Sequence, residues 1–356
     1  MSSKVYFIAA SRREPDESIA EKTKKIFLQL GLDKRVEREH FVGLKIHFGE
    51  KGNTGYIRPS WLSLLIHQIK SKTSRVYITD TNALYVGSRS NATAHLKLAA
   101  EHGFTIDTLQ IPVLIADGLI GRNDDEVEVD LPHIKTAKLA STFMNTDFLV
   151  CLSHFTGHVQ TGFGAALKNL GMGCASRAGK LEQHSDVRPW INPKACKNCL
   201  VCLDYCPVDA IEEGEGSVRI ISERCIGCGE CLVVCSVGAV KMRWDEDSIR
   251  VQEKMAEYAY SLWKILNDNV ACLNFVVGVT KNCDCMAKDE PAIVEDIGIL
   301  GSVDPVAVDK ASVDMVNERS HRDLLREVHN VDWSIQLEHA QQIGLGHMDY
   351  ELIKVE

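Results

Sequence analysis

Two segments of the chain, CKNCLVCLDYCPVDAI (196–211) and CIGCGECLVVCSVGAV (225–240), share one spacing, C-x2-C-x2-C-x3-C. Of 13 cysteines, an odd number, eight fall between residues 196 and 235. Disulfide frameworks suit small oxidised domains, whereas a 356-residue chain that is 45% hydrophobic and 25% charged can build a core without them. The duplicated thiols are therefore read as metal ligands. Two-residue gaps let successive thiolates curl around one centre, and the intervening backbone amides point at the sulfurs.

The repeat is similar to that of bacterial-type two-cluster ferredoxins, where three cysteines of each run bind one cluster and the fourth crosses to the other. Carried over by position, one 4Fe-4S cluster takes Cys196, Cys199, Cys202 and Cys235, and the second takes Cys225, Cys228, Cys231 and Cys206. Pro207 follows the fourth cysteine of the first run, while Ser236 replaces the corresponding proline in the second, a departure in a turn and not in a ligand. Gly227 and Gly229 relieve crowding where the first run has Asn198 and Leu200. A pair of zinc knuckles is the competing reading, disfavoured by the duplicated spacing. Short strands are expected at PWIN, SVRII and VKMRW, making residues 190–243 a compact ferredoxin-like α+β unit. Its six basic and seven acidic side chains nearly cancel, so the formal charge of −9 lies mostly outside it.

Around this unit, apolar runs alternate with segments of helical character. KVYFIAA (4–10) precedes an amphipathic stretch from Asp16 to Leu30, FVGLKIHFG (41–49) precedes PSWLSLLIHQIKS, and RVYITDTN (75–82) precedes NATAHLKLAAEHG. IDTLQIPVLI and DFLVCLSHF (147–155) continue the strands, with HIKTAKLASTFMN between them as a helical segment. After the cysteines come a helix from about Ser248 to Asn267, a strand CLNFVVGVT (272–280), and a helix opened by Asp304 as cap and Pro305 in its first turn. Such alternation predicts an α/β fold, a layered and largely parallel sheet with helices. Residues 1–189 and 244–356 form its two parts, with the ferredoxin-like domain inserted at 190–243.

Ligands of such sheets gather at the carboxyl ends of the strands. Lys45 and His47 close one strand, Asp80, Thr81 and Asn82 another with Arg89 beyond, and His154 and His158 a third. Lys168 and Asn169 share the glycine-rich segment that follows. Convergence of these groups on one rim makes Lys45, His47, His154, His158, Lys168 and Asn169 the candidate catalytic set, with surface or core roles as the alternative for each alone. Cys283 and Cys285, in NCDC, could chelate a soft metal, form a redox thiol pair, or be inert. Cys151, Cys174 and Cys272 are read as core thiols, and Asp309 is left unassigned.

No basic block tracks a phosphate backbone, which disfavours nucleic acid, and no apolar run approaches the ~18 residues of a membrane span. A cytoplasmic protein is expected. GFGAALKNLG departs from the dinucleotide pattern at Leu167, and no phosphate-loop motif occurs, so neither nicotinamide nor flavin is implied.

GLKIHFGEKGN, SHFTGHVQTGFGAALKNLGMGC, NCDC and DIGILGSVDPVAVDKAS resemble the motifs of the domain of unknown function 362 family, in the version with an inserted pair of 4Fe-4S ferredoxin motifs. The resemblance runs from about residue 4 to residue 345. It implies an α/β body, iron–sulfur clusters and anaerobe-type metabolism, and brings no established reaction. The combined expectation is an iron–sulfur oxidoreductase whose two 4Fe-4S clusters transfer electrons to or from a site in the α/β domain. In that site a histidine binds metal or moves protons, and a lysine holds an anionic group. The alternative is an electron carrier or metallocofactor-assembly module that docks a partner enzyme without chemistry of its own. That alternative expects a flat apolar patch and no convergent pocket. The redox partner and the small-molecule substrate are not specified by the sequence.

Overall fold

The computed structural model describes residues 2–85, 87–184, 189–225, 227, 229–241 and 248–356. Cys228 and the end of the VKMRW strand, residues 242–244, lie outside them.

Eight strands form the main sheet: β1 (Ser3–Ala9), β2 (Val42–Lys45), β3 (Val76–Asp80), β4 (Val113–Ile115), β5 (Phe148–His154), β6 (Val270–Val276), β7 (Gly298–Ser302) and β8 (Tyr350–Lys354). Their order is β8-β1-β7-β6-β5-β2-β3-β4. Seven point the same way, and β7 runs against its neighbours β1 and β6. The fold is thus α/β with a largely parallel sheet. Strands β2, β3 and β6 are buried along their whole length, which accounts for the unbroken apolar runs in the sequence.

Helices cover both faces. On one, α1 (Asp16–Gln29) and α2 (Ser63–Lys70) turn Ile19, Ile26 and Phe27, and Leu65, Ile66 and Ile69, onto Leu44, Ile78 and Val150. A further helix, α3 (Ala92–Glu101), follows β3 and is capped by the Asn91 side chain, which accepts from the Ala94 N–H. The other face carries α4 (Ala166–Cys174), α5 (Arg177–His184), α6 (Ser248–Ile265) and α7 (Pro305–Ser320). Here Leu167, Leu170, Met255, Leu262 and Val308 pack with Leu149 and Cys272. Cys151, Cys174 and Cys272 are fully buried free thiols. Val5 of β1 also joins this second core.

The chain moves from β2 through β3 to β4 toward one edge, and from β5 to β6 toward the other. Neighbours β5 and β2 therefore send their connections in opposite directions, and a crevice opens at their carboxyl ends.

Asp304 caps α7 by accepting from the Val306 and Ala307 N–H groups at 2.9 and 3.0 Å, with Pro305 behind it. Asp309 acquires a clear role: its buried carboxylate accepts from the N–H groups of Ala166 and Leu167, both at 2.9 Å, and from Asn274 Nδ2 at 2.7 Å. It fixes the start of α4.

Two segments depart from expectation. In IDTLQIPVLI the Thr105 hydroxyl caps a short helix, Ile106–Leu109, and Gln110 in the left-handed region ends it, so the strand begins after Pro112. HIKTAKLASTFMN holds a strand, Thr136–Ala140, paired antiparallel with Asp124–Glu128. Its buried Ala137 and Leu139 follow a period of two, which a helical reading overlooks.

The cysteine-rich segment has its own small core of Cys202, Ile211, Val218, Cys231 and Val240. Trp190–Ile191 pairs with Val240–Lys241, and Ile211–Glu213 with Val218–Ile220. The repeat is present in the backbone as well. Asn198 and Gly227, Leu200 and Gly229, and Asp209 and Gly238 are equivalent pairs, and all six residues have φ between +49° and +75°. The glycines of the second run thus answer a left-handed turn more than crowding, and Leu200 meets the same demand at a cost of about 1–2 kcal/mol.

Candidate functional site

The crevice at the carboxyl ends of β2, β3 and β5 is a cavity of about 480 Å³. Its wall contains all six residues of the candidate catalytic set, together with Cys283 and Cys285 from the loop after β6.

Lys45, at the end of β2, is 1% exposed. Its Nζ lies 2.9 Å from Asp80 Oδ1 and donates to Asn169 Oδ1 at 2.7 Å. Burial opposes the charge, but Asp80 outweighs it and raises the ammonium's pKa, while the same contact holds the Asp80 carboxyl well below its ordinary value despite burial. Asn169 completes the lock by donating from Nδ2 to Leu152 O at 2.9 Å and Ser153 Oγ at 3.1 Å. A Cβ on Gly173 would sit 2.8 Å from Lys45 Nζ and 2.9 Å from Asn169 Oδ1, so glycine is what admits the pair.

The histidines divide. His154 has both ring nitrogens engaged, Nδ1 at 2.7 Å from Asp284 Oδ2 and Nε2 at 2.8 Å from Val277 O. Burial works against its charge, yet Asp284 prevails and raises its pKa, so the ring is an imidazolium that straps the C-x-C loop to β5. In this arrangement it offers no lone pair to a metal. His47 is the opposite case: Nδ1 accepts from the Gly49 N–H at 2.9 Å, which puts the proton of the neutral ring on Nε2. Nε2 is buried and has no hydrogen-bond partner among the described residues. Burial, then Arg89, pushes its pKa well down. His158, 2.9 Å from the Thr161 hydroxyl, is likewise held neutral by burial and by Lys168.

Lys168 projects from α4 with no ion pair or hydrogen bond among the described residues. Burial, and then Arg89, lowers its pKa to about 8. The Arg89 guanidinium is itself held by Glu50, Nε to Oε2 at 3.0 Å, and by the Tyr85 hydroxyl. Lys180 and His184, outside the candidate set, stand four residues apart on α5 and also line the cavity. That i, i+4 spacing was the available signal. Lys180 donates to Thr81 Oγ1 and Asn82 O, and burial lowers its pKa to about 8. The cavity is thus rich in cationic and neutral donors; its buried acids, Asp80 and Asp284, each hold a partner through one oxygen, while Asp80 Oδ2 and Asp284 Oδ1 have no hydrogen-bond partner among the described residues.

In the cysteine-rich unit, Cys196, Cys199, Cys202 and Cys235 line one small pocket, and these four thiols together with Cys206 and Cys225 are free. Equivalent N–H groups, of Ala210 and Ala239, approach Cys206 Sγ at 3.2 Å and Cys235 Sγ at 3.1 Å, and the Asn198 N–H approaches Cys196 Sγ at 3.4 Å. Free thiols with amide donors aimed at them are the donor chemistry an iron–sulfur cluster needs. Of the second set, Cys206, Cys225 and Cys231 are described.

The unit rests against the cavity wall. Glu230, 2% exposed and next to Cys231, receives Arg177 Nη1 at 2.8 Å and lies 3.0 Å from Arg122 Nε. Leu232 packs on Leu84 and Leu181, and a Cβ on Gly229 would come within 3.1 Å of Leu84 Cδ1. Leu84 also lines the cavity.

Away from the cavity, His133, Glu257 and His339 bring potential ligand atoms within 4.8 Å of one another. Glu257 is occupied there as a loop anchor, accepting from the His133 and Ile134 N–H groups and lying 2.9 Å from His339 Nε2. No helix among the described residues is long and apolar enough to cross a membrane.

A Rhodospirillum rubrum protein named Iron-sulfur protein is 32% identical over 112 residues, 29% of this chain and 48% of its own. Electron transport protein HydN of Escherichia coli (strain K12) is 41% identical over 49 residues, 13% of this chain and 28% of its own. The chain therefore spans less than half the length of these relatives. Among solved structures, the lactate racemase apoprotein from Thermoanaerobacterium thermosaccharolyticum aligns over 89% of this chain and 57% of its own, with a TM-score of 0.44 and 16% identity. The family described as "Domain of unknown function (DUF362)" matches residues 42–314, spanning β2 to α7 and every group of the cavity named above, and the chain belongs to that family.

Proposed function

We propose that this chain is a cytoplasmic iron–sulfur redox protein in which residues 190–243, inserted into the α/β body, exchange electrons with a small anionic molecule bound in the cavity. Cys196, Cys199, Cys202 and Cys235 would hold one 4Fe-4S cluster, and Cys225, Cys228, Cys231 and Cys206 the other. Bound clusters supply one-electron exchange. The observation that carries the reading is the contact between the second cysteine run and the cavity wall through Leu232 with Leu84, beside the pair of Glu230 with Arg177 on the helix that carries Lys180.

In this reading the unpaired Lys168 ammonium and the His47 Nε2–H take the anionic group of the substrate. Lys45, neutralised by Asp80 and held by Asn169, shapes the floor. His158, neutral and buried, carries a proton, and His154 positions Asp284 and the C-x-C loop. An additional metal at Cys283 and Cys285 requires both as thiolates. A carrier that only docks a partner enzyme has no use for a convergent, donor-rich cavity, whereas a metallocofactor-assembly module would use Cys283, Cys285 and the histidines as a delivery site.

The test begins with iron, sulfide and other metals in anaerobically purified protein, alongside a Cys283→Ala, Cys285→Ala double variant. Two clusters require about eight irons and eight sulfides per chain. Protein reduced by a one-electron donor is then offered small carboxylates and other anionic metabolites. Reoxidation by one of them, weakened roughly tenfold or more in Lys168→Met by loss of a charge-assisted hydrogen bond, supports the enzyme reading. Reoxidation by a partner protein alone sinks it in favour of the carrier.

A further inference from the structure

Cys283 and Cys285 are joined, with their sulfurs 2.01 Å apart, and both line the cavity. Cys196, Cys199, Cys202, Cys206, Cys225 and Cys235 are free. In a reducing compartment a disulfide is more often transient and catalytic than structural. One that closes a loop of three residues contributes little to the fold, because loop-closure stabilisation grows with loop length.

The loop does not need this bond to hold its place. Asn282 donates from its N–H and from Nδ2 to Glu290 at 3.0 and 2.8 Å, and Asp284 is bound to His154. The Tyr85 hydroxyl donates to Cys285 O at 3.1 Å. These anchors engage backbone and neighbouring side chains and leave the sulfurs alone, so the pair can open while the loop stays in position. Tyr85 directly follows Leu84, the residue packed on Leu232 of the second cysteine run. One dipeptide thus touches the cysteine-rich unit on one side and the C-x-C loop on the other.

We infer that the Cys283–Cys285 pair is a redox-active dithiol/disulfide centre facing the cavity, and that it stores two electrons between one-electron delivery and two-electron chemistry. Opening consumes two electrons and two protons: the S–S bond breaks and two thiols form. The electrons come from two equivalents of a low-potential one-electron donor, and the protons from solvent. The centre returns both electrons and both protons to an oxidised substrate when the S–S bond forms again. The inference rests on the redox reading above for the source of its electrons.

The experiment counts alkylated thiols on the peptide containing residues 283 and 285 by mass spectrometry, using anaerobic full-length protein. In one arm the protein is equilibrated with graded ratios of reduced and oxidised dithiothreitol. In the other it receives two equivalents of reduced methyl viologen. The inference expects alkylation to rise from zero to two per chain as one step in the first arm, reversibly, and to reach two in the second. Cys283→Ser leaves the Cys285 thiol open to alkylation under every condition, which checks the peptide assignment without demanding turnover. Leu84→Ala slows opening by viologen at least tenfold while leaving opening by dithiothreitol unchanged. Two alkylations in untreated protein that persist after mild oxidation overturn the inference, as does a bound metal lost in the double alanine variant. Opening by dithiothreitol with none by viologen supports the dithiol centre and overturns the electron-exchange reading on which its donor depends.

Discussion

The cysteine-rich unit and the cavity are built from sequence in opposite ways. Eight ligand candidates of the first fall within 40 residues of chain, and a fixed spacing brings them together through local turns. The groups of the second come from β2, β3, α4, α5, β5 and the loop after β6, and only the order of the sheet makes them neighbours. A local site can be read from spacing, whereas a distributed one can be read only as a set of strand ends that must converge. The two meet where Glu230 binds Arg177 and Leu232 packs on Leu84.

The largest effect is expected within the unit. Removing one thiol, as in Cys202→Ala, should lower bound iron from about eight to about four per chain, because a cube missing a thiolate is lost while its neighbour keeps four. Binding of oxalate at the cavity, measured by calorimetry, should be unchanged. A parallel loss of oxalate binding would mean that the two regions fold as one unit.

The junction comes next. Arg177 and Glu230 are both nearly inaccessible; Glu230 keeps Arg122 if Arg177 is lost, but removing Glu230 strands the buried Arg177 charge, at a cost of about 3–5 kcal/mol. Glu230→Leu should show this as a lower urea midpoint. Arg177→Met with Glu230→Leu should recover much of the stability, because an apolar pair of similar volume replaces the ion pair. Recovery of stability without recovery of electron exchange would identify the ion pair as a positioning device for the cysteine run.

Asp309 tests how the sheet holds the cavity together. Asp309→Ala leaves two buried N–H groups at the start of α4 without their acceptor and the Asn274 amide with Ser312 Oγ alone, at roughly 3 kcal/mol. Thermal unfolding should register the loss, and oxalate affinity should fall with it, since Lys168 and Asn169 ride on the same helix.

These residues also mark where the sequence was legible. The ends of β2, β3 and β5 stood out because parallel strands buried on both faces must be apolar throughout, so Lys45, Asp80 and His154 interrupt the pattern. Lys180 and His184 did not stand out. A helix of mixed polarity shows a face only when its neighbours are known, and α5 turns this face to the cavity. His154 was visible as a strand-end polar group, but its commitment to Asp284 and Val277 depends on a contact with residues more than 120 positions away. Nor could spacing reveal that Leu200 would adopt the left-handed turn that Gly229 adopts in the second run.

The smallest effect concerns Lys168, and its sign separates a binding group from a structural one. Its pKa of about 8 lies below that of an unfolded lysine, so between the two values the unfolded chain binds more protons and stability rises with pH. The charge is therefore a cost to the fold below pH 8, and the cost fades as pH climbs toward about 10.4. Lys168→Met should stabilise the protein at pH 7 by on the order of 2 kcal/mol, allowing for partial exposure, and by little near pH 10.5. Differential scanning calorimetry at the two pH values reads this directly. Oxalate should reverse the order at pH 7, because it binds the unpaired Lys168 ammonium of the wild-type chain, which the variant lacks. A variant less stable than wild type at pH 7 without oxalate would mean that Lys168 is paired within the fold, and the anion site would lose its principal cation. The expected result instead makes Lys168 a charge that the fold tolerates at a cost to stability, as the buried donors of a binding site commonly are.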